Sequence, residues 1–240
     1  MAGSIRWIRL IGEGAVIVGS ILLAFFLDAW WDDISRERDL RDQLEVVTDE
    51  MRTTRTRLES VLRAHAWNVQ LSQQLRLKLG EVEAGSTVLV PDEEIGPLLP
   101  QVTADVTTRA LQAFIAAGGL KLIDDLDARA ELLAWAARME DLLDDEIYLR
   151  NFAAAELVSW LRNNADIANA ELLSTPILLG HFGVGPPPDP SLLGTSTLTR
   201  DTVLINLLAA RESGERAIQS NLEQLLALAD RHIATLDASN

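Results

Sequence analysis

Side chains that could do chemistry are few in this chain and stand far apart. The three histidines, His65, His181 and His232, lie in no H-x-x-x-H or E-x-x-H pattern, which carboxylate-rich diiron bundles and helical zinc sites require. Cysteine is absent, so disulfides, zinc–thiolate sites and iron–sulfur clusters are excluded. The sequence therefore predicts no metal site.

Two other groups of residues invite a chemical interpretation. An acidic run on one predicted helix could hold a divalent ion loosely, but such a run is typical of a solvated helix face; it comprises Asp141, Asp144, Asp145 and Glu146. Gly180–Gly185 has its glycines in the wrong order for a dinucleotide-binding loop, with no strand before it. Because no P-loop lysine, nucleophile elbow or Ser-x-x-Lys pattern occurs, we predict a protein that is not an enzyme and binds no cofactor.

The net charge of the chain limits the classes of partner that it can bind. Its 240 residues carry a formal net charge of −15 at pH 7. We therefore expect no nucleic acid partner, and anionic lipid is a poor partner for any part outside a membrane.

Among the structural elements that the sequence predicts, the most distinctive is one apolar segment, Leu10–Trp31. Within it, Ala15–Leu27 has no charged side chain, and apolar flanks lengthen the run towards the roughly 20 residues that a bilayer requires. Trp7 and Trp30 lie 23 positions apart, about 35 Å along a helix. With Trp31 they would form aromatic belts at the two interfaces of a membrane. We predict a transmembrane helix here.

Two rival interpretations of this segment are weaker. A secretory signal peptide would end in small residues, whereas this run ends in Phe25, Phe26 and the two tryptophans. A buried core helix would carry more polar side chains around its circumference than Ser20 alone. Arg6 and Arg9 precede the span and acidic residues follow it. The positive-inside rule then places the N-terminus in the cytoplasm and the main domain in the periplasm, at a bacterial inner membrane.

One face of the predicted span carries small and ionisable side chains. Small residues four apart permit close helix approach, and an ionisable group within a membrane usually faces protein. Glu13 could instead pair with Arg9 one turn earlier. The span has no histidine, the usual axial ligand for haem. The predicted packing residues are Glu13, Ala15, Gly19, Ser20, Ala24 and Asp28.

Beyond the span, apolar residues repeat at the three- and four-residue spacing of helices. No proline interrupts residues 15–79, so a long helix is predicted to continue out of the membrane. A second long helix, capped by Asp124 or Asp125, should run to about Asn164, and a third lies near the C-terminus. Each helix is predicted to face the core with one stripe of side chains. The stripe of the first helix is Leu44, Val47, Met51, Thr54, Leu58, Val61 and His65. The stripe of the second is Leu126, Ala130, Leu133, Ala137, Glu140, Leu143 and Ile147, and that of the third is Leu204, Leu208, Arg211, Glu215, Ile218, Leu222 and Leu225.

The resulting fold class is all-α, with one N-terminal transmembrane helix that continues into an elongated antiparallel helical bundle. Residues 1–31 form the cytoplasmic tip and anchor, and residues 32–240 form the extrinsic bundle. Thr87–Pro91 is strand-like but too isolated to predict a sheet. Ser174–Thr195, rich in proline and glycine, is expected to be a surface loop. Its candidate partner-binding residues are His181, Phe182, Pro186, Pro187 and Pro188.

Two stretches carry a resemblance to a known family. Glu13–Trp31 reads E-G-x-x-I-V-G-x-x-L-L-A-x-x-x-D-x-W-W and resembles an uncharacterised bacterial family of short, single-span, membrane-anchored helical proteins. Thr107–Asp125 resembles that family's second recurrent stretch. The architecture, without a shared motif, is also similar to accessory subunits of bacterial photosynthetic reaction-centre–antenna complexes. These resemblances imply a structural role and transfer no catalytic residue.

Together these features favour a non-catalytic, membrane-anchored accessory subunit that stabilises a multi-subunit membrane complex. The second resemblance implies that the complex is a photosynthetic reaction-centre–light-harvesting assembly. Its expected partners are integral membrane subunits, an extrinsic subunit and the lipid bilayer. The alternative is a free-standing periplasmic sensor or a ligand- or protein-binding module that uses the Ser174–Thr195 loop or a groove of the bundle.

Overall fold

The computed structural model describes the backbone of residues 3–237 and the side chains of residues 13–14, 16–36 and 38–234. The predicted all-α class is confirmed for the described residues, except that a two-stranded sheet is present. The helices are α1 Gly3–Gly80, α2 Asp92–Ile95, α3 Arg109–Ala116, α4 Leu126–Phe152, α5 Ser159–Asn164, α6 Ala168–His181 and α7 Thr202–Asp237, and the strands are β1 Thr87–Pro91 and β2 Thr195–Thr199.

Helix α1 is continuous over 78 residues, about 117 Å at 1.5 Å per residue, as the lack of proline predicted. In the part of the chain that the structure describes, no helix combines the length and the apolar character that a membrane crossing needs. The side chains of Trp7 and Ala15, which were predicted to lie in a belt and in a packing face, fall outside the described residues.

Helices α1, α4 and α7 form the body of the bundle. Helix α7 runs antiparallel to α1, since Asp230 pairs with Arg55 and Glu215 contacts His65. Helix α4 runs antiparallel to α7, since Asp145 accepts a hydrogen bond from Asn221 and Glu131 lies near Arg231. The predicted stripes of α1 and α7 face the core: every stripe residue is buried except Leu44, which packs against it half-buried.

The predicted apolar stripe of α4 is wrong. Its Leu126 is 71% exposed, and Leu133, Leu143 and Ile147 are also exposed. The buried face is the opposite one, made by Leu132, Trp135, Met139, Leu142, Glu146 and Leu149. Helix α4 carries aliphatic residues on both faces, and the face with the largest side chains packs inward because it removes more apolar area from water.

The ends of α4 follow the prediction more closely. The Asp125 side chain accepts hydrogen bonds from the backbone N–H groups of Asp127 and Ala128, which satisfies two of the orphan donors of the helix. At its other end α4 passes through a π-helical turn, Ala153–Val158, into α5. The helical path therefore reaches Asn164, as predicted.

The sheet was not predicted. Strand β1 pairs antiparallel with β2, with Val90 opposite Ser196. The buried Asp92 fixes this corner by accepting hydrogen bonds from the Gly194 N–H and the Ser196 hydroxyl. The sequence TSTLT of β2 lies more than 100 residues from β1 and has one apolar side chain, so no local pattern indicates the pairing.

The predicted loop Ser174–Thr195 is mostly a misassignment. Helix α6 continues through Pro176 to His181, because Leu173 and Ile177 are buried and their packing holds the helix together. A short 3₁₀ turn follows at Pro190–Leu192, and β2 begins at Thr195. The irregular part is therefore confined to the residues between His181 and Pro190 and to the two residues before β2.

Candidate functional site

Within α1, Val16–Trp31 is an apolar stretch of helix whose side chains are exposed on every side. We call it the anchor segment, after the role that the sequence predicts for it. Its large apolar side chains are all 49% exposed or more, with Val16 at 69% and Trp31 at 62%. The predicted packing residues Glu13, Gly19, Ser20, Ala24 and Asp28 are exposed as well, and the Ser20 hydroxyl donates to the Val16 carbonyl at 2.8 Å. Their role in packing against a partner stays a prediction.

At the far end of α1 an aromatic cluster joins α1 to the segment after α6. The ring of Trp67 stacks on His181, with centroids 3.7 Å apart and planes 6° from parallel. Phe182 packs edge-on against both rings. A Cβ on Gly180 would lie 2.7 Å from the Cα of Pro187, so this glycine lets the proline segment close against α6.

Trp67, Gly180, His181 and Pro187 border a cleft of about 430 Å³, which we call the distal cleft. Its lining is apolar apart from His181 and one carboxylate, Glu93, and consists of Trp67, Glu93, Ile177, Gly180, His181, Pro187, Pro188, Pro190 and Leu193. Of the predicted partner-binding residues, the structure brings His181, Pro187 and Pro188 together here. Phe182 lines a neighbouring cavity of about 240 Å³, and Pro186 is exposed. Sequence reasoning missed Trp67, because its partners lie more than 110 positions away.

Polar side chains form a layer inside the bundle, between two apolar core clusters. Arg211 Nη2 lies 2.8 Å from Glu215 Oε1, and Asn68 Nδ2 donates to the same oxygen at 3.4 Å. The other oxygen of Glu215 hydrogen-bonds to His65 Nδ1. All members are buried, and we call this set the polar layer: His65, Asn68 and Ser72 on α1, Glu146 on α4, and Arg211 and Glu215 on α7.

The connection between α2 and α3 crosses the bundle at the polar layer and is held there by charged side chains. Arg211 Nη2 donates to the Pro100 carbonyl at 3.2 Å. Glu146 Oε1 accepts from the Ala104 N–H at 2.8 Å, and Arg57 Nε donates to the Ala104 carbonyl at 2.9 Å. The hydrogen bonds donated by the Arg211 and Arg57 guanidinium groups are charge-assisted and stronger than neutral ones, so they fix residues 99–108, which form neither helix nor strand.

Burial shifts the pKa values of two members of the polar layer, Glu146 and Arg211. It raises the pKa of Glu146 above the ordinary 4.5, and this outweighs the opposing hydrogen bond from Ala104 and the charge of His65. Burial also lowers the pKa of Arg211, against the influence of Glu215. The layer thus contains one guanidinium, two carboxyl groups and one imidazole, all removed from water.

Five atoms of the polar layer have no hydrogen-bond partner among the described residues. They are His65 Nε2, Asn68 Oδ1, Ser72 Oγ, Arg211 Nε and Arg211 Nη1. An unpaired buried polar group costs about 1–3 kcal/mol, so five would cost about as much as the whole stability of a typical domain, roughly 5–15 kcal/mol. These atoms therefore require partners.

The predicted lack of a metal site remains a prediction. Within the residues that the structure describes, no three His, Asp or Glu side chains come together to hold an ion. The acidic run of α4 does not form one solvated face: Asp141 and Asp144 are exposed, but Asp145 accepts from Asn221 and Glu146 is buried. The helical period places Glu146 on the side of Leu142 and Leu149, towards the core.

Comparison with known proteins gives this chain no relative. It matches no protein-family model, no curated protein and no solved structure. Both resemblances noted in the sequence therefore stay predictions.

Proposed function

We propose that this protein is a non-catalytic accessory subunit of a multi-subunit complex at a bacterial inner membrane, with its bundle in the periplasm. The anchor segment carries the proposal: about four turns of helix expose apolar side chains on all sides. Soluble monomers rarely expose a continuous apolar patch larger than a few hundred Å². Lipid would surround the helix and cover apolar side chains on all its sides, whereas a single partner helix would cover only one face.

The ends of the anchor segment support the same assignment. Trp30 and Trp31 are exposed at its end, where an aromatic belt would meet the headgroups, and Asp32 and Asp33 follow at once. The exposed apolar surface and the charge asymmetry of its flanks thus both support attachment to a membrane.

The continuity of α1 supports a role as a spacer. From Asp32 to Gly80 it extends for 49 residues, about 73 Å at 1.5 Å per residue. The distal cleft lies near that end, because Trp67 belongs to it. In the proposed arrangement, the cleft and the sheet face the extrinsic part of a neighbouring subunit, well above the bilayer.

The distal cleft favours a second candidate, a free-standing module that binds a ligand or protein. It combines apolar walls with one carboxylate, which is the usual composition of a recognition site. The two candidates differ in one measurable property, since an accessory subunit stays with a larger membrane complex. Stoichiometric co-purification in mild detergent supports the first candidate, and recovery of the chain alone supports the second.

Membrane attachment can be tested by replacing two residues of the anchor segment, Ile21 and Phe25, with lysine. The unmodified chain is expected to float with vesicles of phosphatidylethanolamine and phosphatidylglycerol. Two lysines at mid-segment should release it, because each costs several kcal/mol in a bilayer centre. Leu77, an exposed leucine further along α1, offers the matched control as Leu77→Lys. Flotation of the double variant equal to that of the control would contradict the anchor.

A further inference from the structure

Several buried atoms of the polar layer, on the facing helices α1 and α7, have no hydrogen-bond partner among the described residues. His65, Asn68 and Ser72 recur at three- and four-residue spacing, so they lie along one face of α1. Arg211 and Asn68 bond to the same oxygen of Glu215, at 2.8 and 3.4 Å, which places their head groups side by side. All five unpartnered atoms are buried, and they belong to residues that are fully enclosed.

We propose that the polar layer is a binding site for ordered water, with at least two molecules enclosed between α1 and α7. Buried water of this kind bridges polar groups that lack protein partners and counts as part of a structure. The Nε and Nη1 hydrogens of one guanidinium point away from different edges of the group. A single molecule therefore does not reach both, and the number of waters is two or more.

The types of the unpartnered atoms select water over an ion. Arg211 Nε and Nη1 only donate, Asn68 Oδ1 only accepts, and the Ser72 hydroxyl does both. An anion cannot donate to Asn68 Oδ1, and it would meet the buried carboxyl groups of Glu146 and Glu215. A cation would meet the charge of Arg211. Water accepts from the guanidinium and donates to the amide, and because it can do both it pairs with His65 Nε2 in either tautomer of the ring.

The enclosed water completes a path of hydrogen bonds across the bundle. It links Ser72 and Asn68 on α1 to Arg211 on α7, whose Nη2 already holds the Pro100 carbonyl. The layer then has every polar group paired, which is the condition under which a buried network specifies one packing arrangement. Bridging water therefore contributes to the register of α1 against α7.

The test is a crystal structure of the full chain purified in detergent, at a resolution that shows ordered water. We expect density within hydrogen-bond distance of Arg211 Nε and Nη1. Ser72→Ala should remove at least one enclosed molecule. Ser174→Ala is the matched control, because Ser174 is a buried serine whose hydroxyl already donates to the Glu171 carbonyl; it should leave the layer unchanged.

Water magnetic relaxation dispersion gives an independent count that needs no crystal. The number of long-lived waters should fall by one or more in Ser72→Ala and stay constant in Ser174→Ala. Two outcomes would overturn the proposal. One is a dry layer in which the five atoms pair directly with protein groups, and the other is a halide, seen as an anomalous peak after bromide exchange.

Discussion

At the scale of single residues, Arg211 lies at the centre of the buried polar layer. Its guanidinium is fully enclosed, contacts Glu215 and donates to Pro100. Taking a charge from water is expensive, and a buried pair repays that cost only when its geometry and hydrogen bonds are complete. The stability of this layer therefore depends on the set of charges rather than on any one of them.

The first prediction follows from this dependence. Arg211→Met should lower the free energy of unfolding by about 3–5 kcal/mol, because Glu215 stays buried without its guanidinium. Replacing three members together, as His65→Leu, Arg211→Met and Glu215→Leu, should cost far less, since neither side of the Arg211–Glu215 pair then stays buried without the other. Urea denaturation measures both. An exposed arginine of α1, changed as Arg63→Met, is the control and should shift stability by no more than about 0.5 kcal/mol.

The second prediction concerns the pH dependence that Glu146 confers. Because burial raises its pKa in the folded chain, the folded state favours the protonated form, and stability from this group is lost as pH rises through the folded pKa. Glu146→Gln removes the ionisation and keeps an oxygen for the Ala104 N–H. The variant should be more stable than the parent at pH 8, and the difference should shrink at pH 4. Glu140→Gln, on the exposed face of α4, should show no such change; a constant difference for Glu146→Gln would contradict the raised pKa.

Single residues could be assigned to the core from the sequence, but their partners could not. His65, Arg211 and Glu215 fit apolar stripes of α1 and α7, and their burial agrees with that position. The contact between His65 and Glu215 spans 150 positions, and nothing local in either helix indicates it. The helical period indicates which side of a helix faces the core. Which residues of two helices contact each other depends on how the helices are aligned along their axes.

At the scale of elements, the close approach of α4 and α7 depends on Gly214. A Cβ at this position would lie 2.6 Å from Leu149 Cδ1, so a larger residue would push the helices apart or force Leu149 into another rotamer. Glycine inside a helix costs about 1 kcal/mol relative to alanine, and the packing of Leu149 offsets that loss.

A double-mutant cycle tests this contact as the third prediction. Gly214→Ala alone should be neutral or destabilising, because overpacking of about 1–3 kcal/mol opposes the gain in helix propensity. In a Leu149→Ala background the same change should stabilise by about 1 kcal/mol. Thermal unfolding of the four proteins gives the coupling. Additive effects would mean that the two positions do not restrict each other.

Elements with a single apolar face were predictable, and the others were not. Helices α1 and α7 have one clear stripe each, whereas α4 offers two, and the choice between them depends on which neighbours cover it. Helix α6 continues past Pro176 because tertiary packing overrides the local tendency of proline to end a helix. Strand β2 gains its structure only from β1, so no local signal could reveal it.

At the scale of the whole molecule, α1 joins the anchor segment to the bundle without a break. The side chains of Asp32, Asp33, Ser35, Arg36, Arg38 and Asp39 between them are exposed, and the first apolar residue that packs against the core is Leu40. We call residues 32–39 the linker. In the proposed membrane arrangement, a helical linker sets both the height of the bundle above the bilayer and the direction in which the bundle faces.

The last prediction separates height from direction by shortening the linker. Deleting seven residues lowers the bundle by about 10 Å and turns it by about 20°, whereas deleting five lowers it by about 8 Å and turns it by about 140°. If one side of the bundle contacts the membrane complex, the seven-residue deletion should retain more of the chain on the complex than the five-residue deletion does. Native gels of detergent-solubilised membranes measure this retention.

Two controls make that result interpretable. Both deletions should unfold like the parent, because the linker contributes little to the core, and both should float with vesicles, because the anchor segment is intact. Equal retention of the two variants would mean that the bundle meets its partner without a preferred face, so that α1 is a tether rather than a rigid spacer. Loss of both would show that height decides the contact, because the two deletions differ little in length but greatly in rotation.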